Sequence, residues 1–254
     1  MTIGIYDSGL GGLSVWRELR RQVSAPLIYF GDTAHLPYGD KSPDQLMDYF
    51  RASLAFLESR GCTGLVVACN TTSSVVLPRI KHLVKLPLVG MIEGAVEAAS
   101  AVTKGCIGVL ATQATTASGV YQRAFQDVLP HGQVFVQSAP ALVPLVEEGQ
   151  VSGQRARQAL QSYLEPLTAR GIDTLLLGCT HYSFLMELIT ELLDGKIQII
   201  DPASAVAGEA KAALAGIGGQ GGTTEFWVSA QPERFKATAE LILQEELPPV
   251  YLKE

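Results

Sequence analysis

The stretch Leu65-Val66-Val67-Ala68-Cys69-Asn70-Thr71 decides how the chain folds, because an apolar run leads directly into a thiol, an amide and a hydroxyl. A short run of apolar and β-branched residues is typical of a buried strand. In open parallel α/β sheets, ligands bind beyond the carboxyl ends of the strands. The stretch therefore predicts a buried strand that delivers polar side chains to a functional site.

The same pattern occurs a second time at Leu175-Leu176-Leu177-Gly178-Cys179-Thr180-His181. Cys69 and Cys179 are 110 residues apart, and the Arg-Gly pair that precedes each strand keeps the same offset. Apolar residues at helical spacing come before each pair, over 44–60 and over 154–170. The chain therefore predicts two related halves, each of which supplies one cysteine from an equivalent position.

Composition excludes several classes of protein. Of the 254 residues, 47% are hydrophobic and 17% are charged, which is typical of a globular chain rather than a disordered one. The net charge of −6, with no basic patch, argues against nucleic-acid binding and against a polybasic membrane anchor. No stretch approaches the ~18 apolar residues of a membrane helix, and the pattern of a signal peptide is missing. We therefore expect a cytoplasmic protein whose four cysteines are free thiols.

Strands and helices alternate along the chain, with a strand expected at 88–92 and a late helix after Gly208. Such alternation gives parallel sheets with helices on both faces. We predict an α/β fold of two similar parallel-sheet domains, related by a pseudo-two-fold axis, with the active site in the cleft between them.

We call residues 1–93 the first half, residues 94–207 the second half and residues 208–254 the tail. The tail has no counterpart in the repeat and is expected to return to the first half. The first domain is therefore predicted to comprise 1–93 plus 208–254, and the second to comprise 94–207. The glycine-rich run at 216–222 is expected to be a flexible connection.

Two equivalent thiols indicate a symmetric task. A free thiol has a pKa of about 8.5, so little of it is thiolate at neutral pH. If the halves face each other across a cleft, each of Cys69 and Cys179 meets one face of a bound small molecule. One thiol removes a proton as a base while the other donates one as an acid, which is what inversion of a carbon stereocentre requires.

Other uses of the cysteines stay open at this point. Cys179 and His181 form a C-x-H pair to which Cys69 could add a third metal ligand, but zinc sites usually have wider spacings. A redox disulfide between the two cysteines lacks the usual C-x-x-C motif. Cys179 could also be the nucleophile of a hydrolase, with His181 as its base.

Polar residues near these strand ends are further candidates. Asp7-Ser8 follows the first strand, so Asp7 is expected to share the cleft with Cys69, although both residues also suit a helix N-cap. The glycines that follow form a G-x-G-G that is weak as a nucleotide motif. His181 is expected to move or orient a proton for Cys179, and Glu147 or Glu148 could hold it.

Several motifs in order resemble those of the glutamate racemases in the aspartate/glutamate racemase superfamily. They are Asp7-Ser8-Gly9-Leu10-Gly11-Gly12, Pro37-Tyr38-Gly39, Ala68-Cys69-Asn70-Thr71, Ala111-Thr112-Gln113-Ala114-Thr115, Gly178-Cys179-Thr180-His181-Tyr182 and Asp201-Pro202-Ala203. The resemblance covers nearly the whole chain. It implies two α/β domains that interconvert L- and D-glutamate and so supply D-glutamate for peptidoglycan.

The resemblance also implies roles for individual residues. Cys69 and Cys179 match the two catalytic thiols, Asp7 and His181 the residues that assist them, and Glu147 a further helper beside His181. The positions matching substrate contacts are Asp7, Ser8, Tyr38, Gly39, Asn70, Thr71, Thr180 and His181. Neither pyridoxal phosphate nor a metal is implied, glutamate is the small-molecule partner, and racemases of this kind often form homodimers.

Three alternatives to glutamate racemisation remain at this stage. The same residues could racemise aspartate or another small acid. A two-domain amino-acid sensor would bind without reaction, and it would not need the second thiol. A single-cysteine hydrolase would use Cys179 and leave Cys69 dispensable.

Overall fold

The protein is described here from a computed structural model that covers residues 2–216 and 222–253. The central residues of the expected flexible connection, 217–221, lie outside the described residues. Among the described residues, no helix is both long enough and apolar enough to cross a membrane.

The first half and the tail together form one six-stranded sheet. Its strands are β1 (Thr2–Asp7), β2 (Leu27–Gly31), β3 (Cys62–Val67) and β4 (Leu88–Val89) from the first half, with β9 (Thr224–Val228) and β10 (Val250–Leu252) from the tail. The order across the sheet is β10-β9-β2-β1-β3-β4, and every pair is parallel. The tail therefore joins the sheet through β9, which pairs with β2.

The second half forms a separate four-stranded parallel sheet. Its strands are β5 (Cys106–Ala111), β6 (Gln133–Ser138), β7 (Thr174–Gly178) and β8 (Gln198–Ile200). The order β6-β5-β7-β8 corresponds strand for strand to β2-β1-β3-β4 of the first sheet. The predicted α/β fold of two parallel-sheet domains is confirmed, whereas the domain boundaries at 93/94 and 207/208 stay a prediction.

Helices cover both sheets, as parallel sheets require. They are α1 (Leu13–Gln22), α2 (Pro43–Ser59), α3 (Asn70–Val75), α4 (Leu77–Ile80), α5 (Ile92–Ser100), α6 (Gln113–Ser118), α7 (Val120–Val128), α8 (Leu142–Glu147), α9 (Gly153–Thr168), α10 (Met186–Leu193), α11 (Ala203–Ala213) and α12 (Pro232–Leu243). Short 3₁₀ turns cover Thr33–His35, Tyr38–Asp40, Lys81–Leu83 and Thr180–Leu185.

The central strands of each sheet are buried on both faces, so they are mostly apolar. In β1, Ile5 packs into one core while the next residue, Tyr6, packs into the core on the other face. In β7, Leu175 and Leu177 lie in one core and Leu176 lies in the other. This alternation within uninterrupted apolar runs explains why the sequence showed strands without a polar face.

Three elements differ from the sequence-based expectations. The strand expected at 88–92 is only two residues long, because helix α5 begins at Ile92. Helix α11 begins at Ala203 rather than after Gly208, because the Asp201 carboxylate accepts the Ala203 N–H at 3.0 Å and starts the helix. Strand β10 was not predicted, since it is short and follows two prolines.

Candidate active site

The two cysteines occupy equivalent positions and line the same cavity. Cys69 follows β3 after one residue and precedes α3, whereas Cys179 follows β7 directly and precedes the turn Thr180–Leu185. Both side chains are buried, and all four cysteines of the chain are free thiols. The structure therefore brings together two sulfur atoms that are far apart in sequence.

The cavity collects the residues that the sequence singled out as substrate contacts. Its lining comprises Asp7, Ser8, Tyr38, Gly39, Cys69, Asn70, Thr71, Thr112, Val143, Cys179, Thr180 and His181. The cavity volume is about 10 Å³, which is room for about one water molecule. This volume is too small for an amino acid. Because the walls come from both halves, an amino acid can enter only after the two halves have moved apart.

Cys69 is held as a neutral thiol. Its Sγ lies 3.8 Å from Ser8 Oγ and accepts the Thr72 N–H at 3.5 Å. Burial, followed by the nearby charge of Asp7, raises the pKa of the Cys69 thiol to about 12, although hydrogen bonds with Thr72 and Ser8 act in the opposite direction. At neutral pH this thiol carries its proton, so it is suited to act as an acid.

Cys179 stands beside an imidazole. Its Sγ lies 3.8 Å from His181 Nδ1, and His181 Nε2 lies 2.6 Å from Glu147 Oε1. Burial opposes protonation of His181, but hydrogen bonds with Cys179 and Glu147, and their charges, raise its pKa well above the usual value. The arrangement favours an imidazolium next to the Cys179 sulfur.

Glu147 also fastens the second half to the first. The same carboxylate oxygen, Oε1, that contacts His181 accepts the backbone N–H of Leu10 at 2.8 Å. Leu10 belongs to the glycine-rich turn between β1 and α1. One carboxylate oxygen therefore ties the Cys179 side of the site to the loop that follows Asp7.

Asp7 lies at the end of β1 and is fully buried. Its Oδ2 accepts the Gly9 N–H at 3.0 Å, and its Oδ1 has no hydrogen-bond partner among the described residues. Burial raises the pKa of this carboxyl, while the charge of His181 and hydrogen bonds from the backbone lower it. Asp7 is therefore a carboxyl that can hold or release a proton beside Cys69.

Tyr38 is fixed by hydroxyl and carboxylate groups behind the cavity. Its hydroxyl donates to Asp32 Oδ2 at 2.6 Å and lies 2.8 Å from the Tyr6 hydroxyl. His35 Nδ1 contacts the same Asp32 oxygen at 2.8 Å. The buried Asp32 thus holds the wall formed by Tyr38 and Gly39.

Comparison with known proteins places the chain in a family. The sequence model described as Asp/Glu/Hydantoin racemase matches residues 8–210. The curated protein "Glutamate racemase" of Desulforudis audaxviator is 43% identical, over 98% of this chain and 96% of its own length.

Solved structures agree with the sequence comparison. A glutamate racemase, isoform RacE1, from Bacillus anthracis superimposes with a TM-score of 0.93 at 32% identity, covering 100% of this chain and 97% of the other. The Francisella tularensis glutamate racemase in complex with D-glutamate gives a TM-score of 0.91 at 28% identity, with the same coverage. The chain belongs to the Asp/Glu/Hydantoin racemase family. The family and the enzyme class predicted from the sequence, an isomerase, are confirmed.

Sequence reasoning did not assign Thr112, Asp32 or Tyr6 a place in the racemase site. Thr112 lines the cavity, and its hydroxyl lies 2.8 Å from that of Thr71 across the two halves. The internal repeat of the sequence could have indicated Thr112, because Thr112 follows β5 as Ser8 follows β1. Asp32 and Tyr6 act behind the cavity wall, where no pattern in the sequence reveals them.

The racemase structure also shows what the glycine-rich turn does. A Cβ at Gly11 would lie 2.5 Å from Thr180 Oγ1 and would also overlap the His181 ring, and a Cβ at Gly9 would overlap the Glu147 carboxylate. These glycines let the second half pack directly against the turn, which is a structural reason for the G-x-G-G pattern.

Within the part of the chain that the structure describes, no group of three His, Cys, Asp or Glu side chains could hold a metal ion.

We expect Gly11→Ala to lower kcat/KM for racemisation by about 100-fold or more, because a displacement of about 1 Å between catalytic groups has an effect of that size. The added methyl group would push Thr180 and His181 away from the first half. Gly208→Ala is the matched control, since the nearest atom to its Cβ is 3.8 Å away. Wild-type kcat/KM in Gly11→Ala would contradict this account, and thermal melting checks that both variants fold.

We expect Glu147→Gln to lower the pKa of His181, because the change removes a neighbouring negative charge. An NMR titration of the imidazole signals measures this pKa. Glu148→Gln is the control, since Glu148 pairs with Arg155 at 3.2 Å instead. An unchanged His181 pKa in Glu147→Gln would show that Glu147 does not set its protonation.

The same substitution changes how stability depends on pH. Because the folded-state pKa of His181 is raised above its usual 6.5, its contribution to stability is complete below that value. The contribution is lost as pH rises through the folded-state pKa. In Glu147→Gln this contribution is therefore smaller and is completely lost at a lower pH, which urea unfolding at a series of pH values detects.

Proposed function

We propose that the protein interconverts L-glutamate and D-glutamate by moving one proton off, and another onto, the two faces of the α-carbon. The observation that carries the proposal is that Cys69 and Cys179, from equivalent strands of two related sheets, line one cavity. The names of relatives at about 40% identity support glutamate as the substrate. The proposed reaction uses side chains of this chain alone, without pyridoxal phosphate or metal.

The environments of the thiols support a division of labour. In one direction, the Cys179 thiolate, stabilised by the imidazolium of His181, takes the α-proton, so that a Cα–H bond breaks and an S–H bond forms. The Cys69 thiol gives its proton to the opposite face, which forms the new Cα–H bond and leaves a Cys69 thiolate. The high pKa of Cys69, which burial causes, supports its role as the acid.

The reverse direction uses the same atoms with the roles exchanged. Cys69 must then start as a thiolate and Cys179 as a thiol. Asp7, a buried carboxyl whose charge raises the pKa of the Cys69 thiol, is the group we assign to assist this thiol. His181 and Glu147 assist Cys179 through their hydrogen bonds. The two sides are thus equivalent in backbone position but different in chemistry.

Removal of the α-proton leaves negative charge that the site must stabilise. Neutral hydrogen-bond donors aimed at the substrate carboxylate supply this stabilisation, and they act more strongly where water is excluded. Asn70 Nδ2 is buried and has no partner within residues 2–216 and 222–253, so it is free to donate to a substrate. The cavity, with room for about one water, supports a dry site.

The proposal extends to the use of the product. Formation of D-glutamate supports a role in supplying peptidoglycan synthesis, as the family resemblance implies. The homodimer and the cytoplasmic location stay predictions of the sequence.

We expect Cys69→Ala and Cys179→Ala each to abolish racemisation, because each removes the proton carrier on one face of the substrate. In D₂O, the wild-type protein should place solvent deuterium on Cα as each enantiomer inverts. Chiral chromatography with mass spectrometry measures both. Cys62→Ala, which changes a buried thiol at the start of β3 away from the cavity, is the control and should retain activity.

Full racemisation by either single variant at the cavity would exclude the two-thiol scheme. Binding of glutamate by the wild-type protein without any change of chirality would favour an amino-acid sensor. An acyl-enzyme trapped on Cys179, with Cys69 dispensable, would favour a hydrolase.

We expect kcat/KM for glutamate to exceed that for aspartate by about 100-fold or more. A site built to hydrogen-bond a distal carboxylate leaves its donors unpaired when that carboxylate is one methylene shorter. Steady-state kinetics with both amino acids under the same conditions make the comparison. Equal values would assign the chain to the racemisation of small acidic amino acids in general.

A further inference from the structure

Tyr121 connects the ends of the two strands that carry the cysteines. It is buried on α7 in the second half, and a Cβ placed on Gly178 would lie 3.1 Å from its ring atom Cε2. Gly178 is the last residue of β7 and precedes Cys179. The Tyr121 hydroxyl reaches into the first half and donates to Asn70 Oδ1 at 2.7 Å, next to Cys69.

This hydrogen bond determines which end of the Asn70 amide faces the cavity. An asparagine side chain has an acceptor end, Oδ1, and a donor end, Nδ2. Tyr121 remains protonated, because burial and the nearby Cys179 raise its pKa above the usual value, so its hydroxyl donates to the acceptor end. The donor end, Nδ2, is then left buried and without a partner in the described part of the chain, and Asn70 lines the cavity.

An inverted amide would have the opposite effect on an anionic substrate. With Oδ1 toward the cavity, a carboxylate would meet a carbonyl dipole instead of an N–H donor, and the Tyr121 hydroxyl would meet N–H groups. Since a buried group left unpaired costs more than a typical hydrogen bond contributes, the observed orientation is the one that both neighbours support.

A second hydrogen bond, between two threonine hydroxyls, joins the two halves beside this contact. Thr71, the residue after Asn70, has its Oγ1 2.8 Å from Thr112 Oγ1, and the Thr112 hydroxyl is also 3.0 Å from that of Thr115. Asn70 and Thr71 are therefore both held by side chains of the second half. These bonds exist only while the two halves are together.

We propose that Tyr121 is a positioning residue that turns the Asn70 amide so that its NH₂ group meets the substrate carboxylate when the two halves close. The inference rests on the proposed function, since it assumes an amino acid in the cavity. It makes the donor set of the first half depend on the second half, so substrate affinity and closure are coupled through one phenol hydroxyl.

The sequence offers a direct probe, because Asn70 is its one asparagine. Protein labelled with ¹⁵N in the asparagine side chain shows a single NH₂ pair in an NMR spectrum. We expect Tyr121→Phe to shift or broaden that pair in the free protein, because the amide loses the bond that fixes it. Tyr163→Phe is the control and should leave the pair unchanged, because Tyr163 lies on α9 and is only partly buried against the apolar core of the second half.

Binding and kinetics test the functional half of the inference. We expect Tyr121→Phe to raise the Kd and KM for glutamate about fivefold to tenfold, the effect of losing one hydrogen bond, with a smaller change in kcat. In an Asn70→Ala background the same substitution should leave the Kd unchanged, because no amide remains to be oriented. Calorimetry measures the Kd, and thermal melting confirms that the isosteric variants fold.

The outcomes separate this inference from the proposed function. Failure of the wild-type protein to racemise glutamate would overturn the proposed function, whereas the NH₂ signal tests the positioning of Asn70 without any substrate. An unchanged NH₂ pair in Tyr121→Phe overturns the inference. So does an unchanged Kd, or an equal rise in Kd when Asn70 is already alanine.

Discussion

The site depends on one carboxylate oxygen that is shared between the two halves. Glu147 Oε1 accepts the Leu10 N–H from the first half and pairs with His181 Nε2 in the second. A carboxylate that accepts bonds from both sides fixes the imidazole and the glycine-rich turn with respect to each other. Without this oxygen, the imidazole beside Cys179 and the loop that follows Asp7 would no longer be held together by a shared hydrogen-bond acceptor.

The backbone is duplicated, but the chemistry of the two sides is not. β3 and β7 occupy equivalent places in their sheets, and each is followed by a cysteine. Cys69 is surrounded by a hydroxyl, a backbone N–H and the carboxyl of Asp7, whereas Cys179 stands beside an imidazole. This difference in surroundings supports the proposed division of the two thiols into an acid and a base.

Much of the architecture could be read from the sequence, because buried parallel strands are apolar throughout and their carboxyl ends share one edge of the sheet. That argument located the candidate cysteines, Asp7 and His181. It could not locate Asp32 or Tyr121, because the Asp32 carboxylate and the Tyr121 hydroxyl meet their partners only after the fold has formed. Strand β10 escaped prediction because it is short, follows two prolines and exposes Tyr251 and Leu252.

The return of β9 and β10 to the first sheet affects how the molecule can move. The chain passes from the first sheet to the second between β4 and β5, and passes back between β8 and β9. The second sheet is therefore connected to the first by two chain segments, one before β5 and one after β8. Two connections restrict twisting of one sheet relative to the other more than a single connection would, so a hinge motion between the sheets would return Cys69 and Cys179 to their shared cavity.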